Sequence, residues 1–216
     1  MKTLKIVGLA DLFSILNALV GFSGITYTML YDFDYQVYKL LCFAAILDGI
    51  DGFVAKKTKK SLIGKQIDSF ADSISFGLLP AVAMVNYSST LFPLASLLVA
   101  FSILRLARFN MESFEDFYGL PTLPNALLIC GLVLLKFDIL YLATISFLTS
   151  FLMISDIIYP RIKKNPLLFF SGLIILLSAL VEKLSFLAPL AASVYVIYTP
   201  ARLTICRLKG QLSKQE

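Results

Sequence analysis

The feature that most limits this chain is a succession of apolar runs about 20 residues long, interrupted only by short charged or proline-bearing breaks. A helix needs ~20 residues to cross the hydrocarbon layer of a bilayer, and in lipid it satisfies its own backbone hydrogen bonds. Cutting at the breaks gives eight candidate helices, at residues 12–31, 36–56, 64–86, 90–109, 121–137, 139–160, 166–182 and 184–206. Hydrophobic residues make up 58% of the chain and charged residues 15%, with a mean hydropathy of +0.84. A soluble domain of 216 residues could not hide that much apolar surface. The expectation is an all-α polytopic membrane bundle of about eight transmembrane helices, with a short interfacial helix in the N-terminal MKTLKIVGLADLF. That segment has no small-residue cleavage site after its apolar run and is expected to be retained. Residues 1–216 read as one domain, with no internal repeat and no linker between units.

The basic residues give an orientation, because cytoplasmic loops collect Lys and Arg. With the N-terminus inside, the inner set is Lys2, Lys5, Lys56, Lys57, Lys59, Lys60, Lys65, Arg105, Arg108, Arg161, Lys163, Lys164, Arg202, Arg207, Lys209 and Lys214. These are 16 of the 19 basic residues, and only Lys39, Lys136 and Lys183 fall outside. Both termini are therefore expected in the cytoplasm, with the protein in the cell (inner or plasma) membrane. The net charge of +5 orients the chain in the membrane and gives no reason to expect nucleic acid as a partner. Cys42, Cys130 and Cys206 lie far apart in apolar stretches, and the chain has no histidine to complete a zinc site.

Four aspartates break the apolar pattern. Asp48 and Asp51 lie in the second helix, within CFAAILDGIDGFVAKK, and Asp68 and Asp72 lie in the third, within GKQIDSFADSISFG. An ionised carboxylate in a bilayer costs ~2.5–3.5 kcal/mol even on the lenient insertion scale, so four of them mark a functional site. Asp48, Asp51 and Ala55 form one helical stripe, and Gly64, Asp68 and Asp72 form another. The two helices are expected to be antiparallel neighbours joined by KKTKKSLIG, which sets the two pairs at the same depth. Nothing basic lies on either stripe, and two divalent cations would cancel the four charges. All-oxygen ligands suit Mg2+ or Mn2+, and such a site can bind a diphosphate and stabilise displacement at phosphorus. Gly49, Gly52, Ala55 and Gly64 remove side chains beside the carboxylates, which would let a nucleotide approach the backbone; small residues also simply let membrane helices pack.

Taken together, Asp48, Asp51, Gly52, Ala55, Gly64, Asp68 and Asp72 resemble the CDP-alcohol phosphotransferase motif, D-x2-D-G-x2-A-R-x8-G-x3-D-x3-D. Lys56 stands where the family has arginine, which keeps the charge but loses the bidentate fork. The spacer from Lys56 to Gly64 is expected at the family length. SFADSISFGLLPA, RLARFN and FYGLPT further resemble the membrane serine phosphatidyltransferase branch, so the likeness runs from about Asn17 to Pro124. The motif core is 48–72. Helices after about residue 121 are expected to be peripheral, packing around the core or forming the contact of a homodimer.

The resemblance implies transfer of a phosphatidyl-type group from a CDP-lipid to the hydroxyl of L-serine, releasing CMP. Asp48, Asp51, Asp68 and Asp72 would be ligands of two divalent cations, Mg2+ or Mn2+, and Asp72 would also be the general base. Gly52, Ala55, Lys56 and Gly64 would face the CDP-lipid. Asn17, a lone amide in the first span, would touch the nucleotide or bond another helix. Arg105 with Arg108 could clamp the serine carboxylate, with Asn110 as a polar partner, although both arginines also fit ordinary membrane anchoring. Asp156, beside Tyr159 and Arg161, reads as an interfacial ion-pair partner. Membrane lipids are the remaining partners. Glycerol 3-phosphate or inositol phosphate is the alternative acceptor within the same chemistry. An intramembrane prenyltransferase or a divalent cation transporter are the readings from other classes, but the first would carry two separated Asp-rich motifs and the second acidic residues spread through the membrane depth.

Overall fold

The computed structural model describes residues 7–58, 61–111, 117–159 and 165–212, with side chains described up to residue 200 except those of Phe117 and Asn165. Apart from one two-stranded clip, its regular structure is helical: α1 (Leu9–Tyr31), α2 (Tyr35–Lys57), α3 (Gly64–Asp72), a π-helical segment (Ser73–Leu78), α4 (Leu79–Tyr87), α5 (Phe92–Met111), α6 (Thr122–Leu134), α7 (Ile139–Ile154), α8 (Asn165–Leu180) and α9 (Leu187–Leu212). Three helical rods among the described residues are long and apolar enough to cross a membrane, Leu9–Tyr31, Gly64–Tyr87 and Ser89–Met111, which makes this a membrane protein. The apolar helices α6, α7 and α8 are shorter than the spans expected there, because Lys136 turns the chain with a positive φ of 53° and α7 stops at Ile154. The expected interfacial helix has no counterpart from residue 7 onward, where α1 runs unbroken from Leu9; residues 1–6 lie outside the described residues, as do Lys59, Lys60, Arg161, Lys163 and Lys164 and the side chains of Arg202, Cys206, Arg207, Lys209 and Lys214.

Capping fixes the first hairpin. Asp34 precedes α2 and its Oδ1 accepts from the backbone N–H groups of Gln36 (2.8 Å) and Val37 (3.2 Å), satisfying donors that a helix start leaves open. Asn86 ties this hairpin to the end of α4, accepting from Phe33 N–H at 2.9 Å and donating to Asp32 Oδ1 at 2.9 Å.

The third rod changes register midway. Pro80 sits in the first turn of α4 and has no N–H to give the helix preceding it, and Leu79 N–H bonds back to Ile74 C=O, five residues away. Close packing holds this wider turn on two sides. Gly21 of α1 lies so near Ser75 that a Cβ there would stand 2.8 Å from the Ser75 Cα, and Ser75 Oγ donates to the Asn17 carbonyl at 2.9 Å. On the other side, Gly77 faces Ser102 of α5, whose Cβ is 3.2 Å from the position a Gly77 Cβ would take.

The core is continuous from α1 to α9. α6 departs from the expectation of a peripheral C-terminal half: it is buried at Thr122 and along residues 125–133, and it packs against α2, α4 and α9. Gly131 makes this possible, with Pro189 of α9 seated where a side chain would project. Cys42 and Cys130 are buried and free, in keeping with small apolar residues. Large apolar side chains such as Met29, Leu30 and Phe70 cover the outer faces, as a bundle in lipid requires.

A short clip closes one end of the bundle. β1 (Phe117–Tyr118) pairs antiparallel with β2 (Ile158–Tyr159), and Gly119, at φ +77°, is pressed against the Met153 carbonyl. A left-handed backbone with a carbonyl in the Cβ position admits only glycine.

Two substitutions test this packing. Gly21→Ala should destabilise the folded protein by about 1–3 kcal/mol, as overpacking does, and Gly119→Ala should do so as well. Gly172→Ala, in open space on α8, should not lower stability. Thermal unfolding midpoints in detergent measure all three.

Candidate active site

α1 lies along both α2 and α3, and α2 and α3 approach each other mainly through their aspartates rather than as closely packed neighbours. That gap leaves room for the carboxylate side chains between the two backbones. Asp48 of α2 and Asp68 and Asp72 of α3 each offer a carboxylate oxygen, and these oxygens lie within 4.8 Å of one another. The i, i+4 spacing of Asp68 and Asp72 puts both on one face of α3, and Asp48 meets them from across the gap.

Asp51 is held differently. Its Oδ2 accepts a 2.6 Å hydrogen bond from Ser14 Oγ of α1, and both residues are buried. The structure thus joins three of the four expected ligands directly and keeps the fourth beside them, in electrostatic contact with Asp68 and with Asp11. Asp11 is a fifth carboxylate near the site: it is only 3% exposed, accepts from Gly8 N–H at 2.8 Å, and packs against Gly64. A Cβ on Gly64 would come within 2.7 Å of Asp11 Oδ1, so this glycine makes room for a carboxylate of α1, whereas Gly49 and Gly52 face open space and Ala55 and Lys56 are exposed on the last turns of α2. Seven residues separate Lys56 from Gly64 where the family pattern has eight, so the turn is one residue shorter than expected.

Asn17 is fully buried; its Nδ2 points to Asp72 Oδ1 at 3.5 Å, and its own Oδ1 has no hydrogen-bond partner among the described residues. It therefore bridges α1 to the cluster. Arg105 of α5 is 5% exposed, donates from Nη1 to Thr122 Oγ1 at 3.4 Å, and stands in electrostatic contact with Asp72 and Asp48. The acidic stripes carry no cation of their own, but a neighbouring helix supplies one.

Arg108 and Asn110 are engaged elsewhere. Arg108 pairs with Asp156 at 3.3 Å and donates to the Ser155 carbonyl at 3.0 Å, which ties α5 to the segment leading into the clip. Asp156 is thus the ion-pair partner expected, with Arg108 as its mate. Asn110 donates from Nδ2 to Ser69 Oγ at 2.8 Å, and its carbonyl accepts from Lys65 Nζ at 2.8 Å, linking α5 to α3 one residue from Asp68.

Sequence reasoning missed Ser14 and Asp11. Their mark is periodic: Asp11, Ser14, Asn17, Gly21, Gly24 and Thr28 recur every three or four residues along α1 and are all buried. A polar and small stripe on an otherwise apolar span identifies the face turned toward the site.

The donor set fits divalent cations. It is all oxygen, carries excess negative charge, and includes Asp68 Oδ1, a buried acceptor with no hydrogen-bond partner among the described residues. The arrangement can hold cations against a diphosphate and place a carboxylate, Asp72, beside a buried guanidinium.

Comparison with known proteins gives this geometry its family. The model of CDP-alcohol phosphatidyltransferases matches residues 7–205. A CDP-diacylglycerol–serine O-phosphatidyltransferase of Methanocaldococcus jannaschii is 34% identical over 73% of this chain and 76% of its own. The archaetidylserine synthase of Methanothermobacter thermautotrophicus is 37% identical over 74% and 73%. A CDP-diacylglycerol–serine O-phosphatidyltransferase of Helicobacter pylori is 34% identical over 95% of both chains. With the match covering nearly the whole chain, including the aspartates of α2 and α3, the protein belongs to the CDP-alcohol phosphatidyltransferase family.

Proposed function

We propose that the chain transfers the phosphatidyl-type group of a CDP-lipid to the hydroxyl of L-serine and releases CMP. The observation that carries this reading is the convergence of Asp48, Asp68 and Asp72 inside an apolar bundle of this family. Serine as acceptor is supported by the relatives, two named for serine O-phosphatidyl transfer and one for archaetidylserine synthesis.

Asp48, Asp51, Asp68 and Asp72 would hold two divalent cations, Mg2+ or Mn2+, which when bound offset the carboxylate charge and supply Lewis acidity toward the diphosphate. Asp72 accepts the proton of the serine hydroxyl. The serine oxygen then bonds to the lipid-side phosphorus in line with the bond to the CMP oxygen, which breaks as CMP leaves with the electron pair. Arg105, buried next to Asp72, clamps the serine carboxylate through its planar fork and so brings the hydroxyl to the base. Asn17 fixes the orientation of Asp72 and faces the nucleotide end. The cytidine lies along the open backbone of Gly52 and Ala55, Lys56 meets the diphosphate, and Gly64 keeps the carboxylate of Asp11 at the rim. Asn110 contributes through Ser69, at the acceptor side of α3.

The whole chain acts as one membrane domain of eight spans, assembled as a homodimer, with both termini and the reaction centre cytoplasmic. The distribution of Lys and Arg supports that orientation.

Purified protein given CDP-lipid and Mg2+ or Mn2+ should release CMP when serine is added, and much less with glycerol 3-phosphate or inositol phosphate. A preference for either of these other alcohols sinks the serine assignment. Asp72→Asn, which preserves shape but cannot accept the proton, should lower kcat by roughly 10²–10⁴-fold. Arg105→Gln should raise the KM for serine by about 30-fold or more, corresponding to the ~2 kcal/mol lower bound for breaking a buried charge contact. Arg108→Gln should leave it within about twofold, because an exposed ion pair such as that with Asp156 contributes little.

A further inference from the structure

The stretch FYGLPT, residues 117–122, is pinned along its length and ends against Arg105. Phe117 and Tyr118 pair with β2. Gly119 and Leu120 donate their backbone N–H groups at 2.9 Å to the carbonyls of Ile157 and Leu152, so the turn is held both by the segment entering the clip and by α7. Pro121 then sets φ at −62°, the value from which a helix can start, and Thr122 opens α6. Thr122 is 2% exposed, and its Oγ1 accepts from Arg105 Nη1 at 3.4 Å. With its backbone fixed in this way, Thr122 sets where the guanidinium sits.

Opposing pulls act on that guanidinium. Asp72 and Asp48 attract it from α3 and α2, strongly so in an apolar interior. An arginine side chain is long and flexible enough to lie down on such carboxylates. Its fork would then be taken up by the groups that hold cations, and an acceptor's carboxylate would find no clamp. Thr122 pulls from α6 instead. Tyr195 of α9 stands beside the same guanidinium, with its ring 5.6 Å from that of Tyr159 in the clip. One N–H given to Thr122 leaves donors enough for a two-pronged bond to a carboxylate.

We infer that Thr122 is a positioning residue for the transfer to serine: its hydroxyl holds Arg105 back from the aspartates and aims it at the acceptor. The inference rests on the proposed role of Arg105 as the clamp of the serine carboxylate. It gives the clip a part in the chemistry without contact with substrate, because the turn that Gly119 and Pro121 shape is what delivers the hydroxyl. It also joins α6, which lies outside the acidic hairpin, to the acceptor side of the site.

Thr122→Val removes the hydroxyl and keeps the shape. It should raise the KM for serine about tenfold, equivalent to ~1.4 kcal/mol, and leave the KM for CDP-lipid within about twofold. Equal rises in both KM values overturn the inference. Thr122→Ser keeps the hydroxyl and should hold the serine KM within about twofold of the parent; if it behaves like the valine variant, packing of the methyl group is what matters and the inference fails. In an Arg105→Gln background, Thr122→Val should add nothing, because the hydroxyl acts through the guanidinium. A further rise of about tenfold there also overturns it. Mn2+ binding, read by electron paramagnetic resonance without substrates, separates positioning from general damage. Thr122→Val lets positive charge settle on the aspartates and should weaken Mn2+ binding by about threefold or more, whereas Arg105→Gln removes that charge and should tighten it. Shifts in the same direction for the two variants reject the inference. If Arg105→Gln leaves the serine KM unchanged while the opposite Mn2+ shifts are seen, the clamp reading fails and the placement of Arg105 by Thr122 stands.

Discussion

Repulsion among carboxylates held together in an apolar interior is the force that the rest of this molecule is built around. Oxygens within 4.8 Å of one another, if all ionised, repel by about 3.5 kcal/mol per pair at an effective dielectric constant of 20. A bundle in which every helix packed closely on its neighbour would leave no room to relieve it. Here the relief comes in three forms: α2 and α3 meet through side chains rather than along their backbones, Arg105 brings a buried positive charge, and Ser14 and Asn17 donate hydrogen bonds from α1. The negative charge that remains makes the cluster a natural seat for divalent ions.

The first helix therefore has more to do than cross the membrane. Its buried face, from Asp11 to Thr28, backs the acidic cluster with polar groups at one end and gives way to glycines further along, where the π-helical segment must come close. Its partly exposed face forms one wall of an apolar groove. One helix thus contacts the charged chemistry and the lipid at once, which suits a reaction whose substrates come from water and from the bilayer.

Much of this was legible in the residues. Apolar runs of about 20 residues place the helices, and the i, i+3 and i, i+4 spacing of the aspartates places Asp48, Asp68 and Asp72 on facing stripes, because both follow from local geometry. What the residues hid depends on contacts between distant segments. Asp11 looked like an interfacial residue because its place against Gly64 spans more than 50 positions of sequence. Arg108 looked equivalent to Arg105, since the two stand three residues apart near the end of α5; only the segment carrying Asp156 shows that Arg108 is paired there, while Arg105 is buried beside Asp72. α6 seemed peripheral because hydrophobicity alone cannot tell a lipid-facing helix from a central one, and its burial depends on Pro189 fitting against Gly131.

The widened turn from Ser73 to Leu78 carries one more consequence. An extra residue per turn rotates everything beyond it relative to a regular helix, so the face bearing Asp68 and Asp72 does not continue into α4. The rod is two pieces set at different azimuths, the first carrying the Asp68 and Asp72 face and the second packing against α1, α5 and α6. Packing beyond Leu79 therefore engages a different side of the rod from the one that carries the acidic pair.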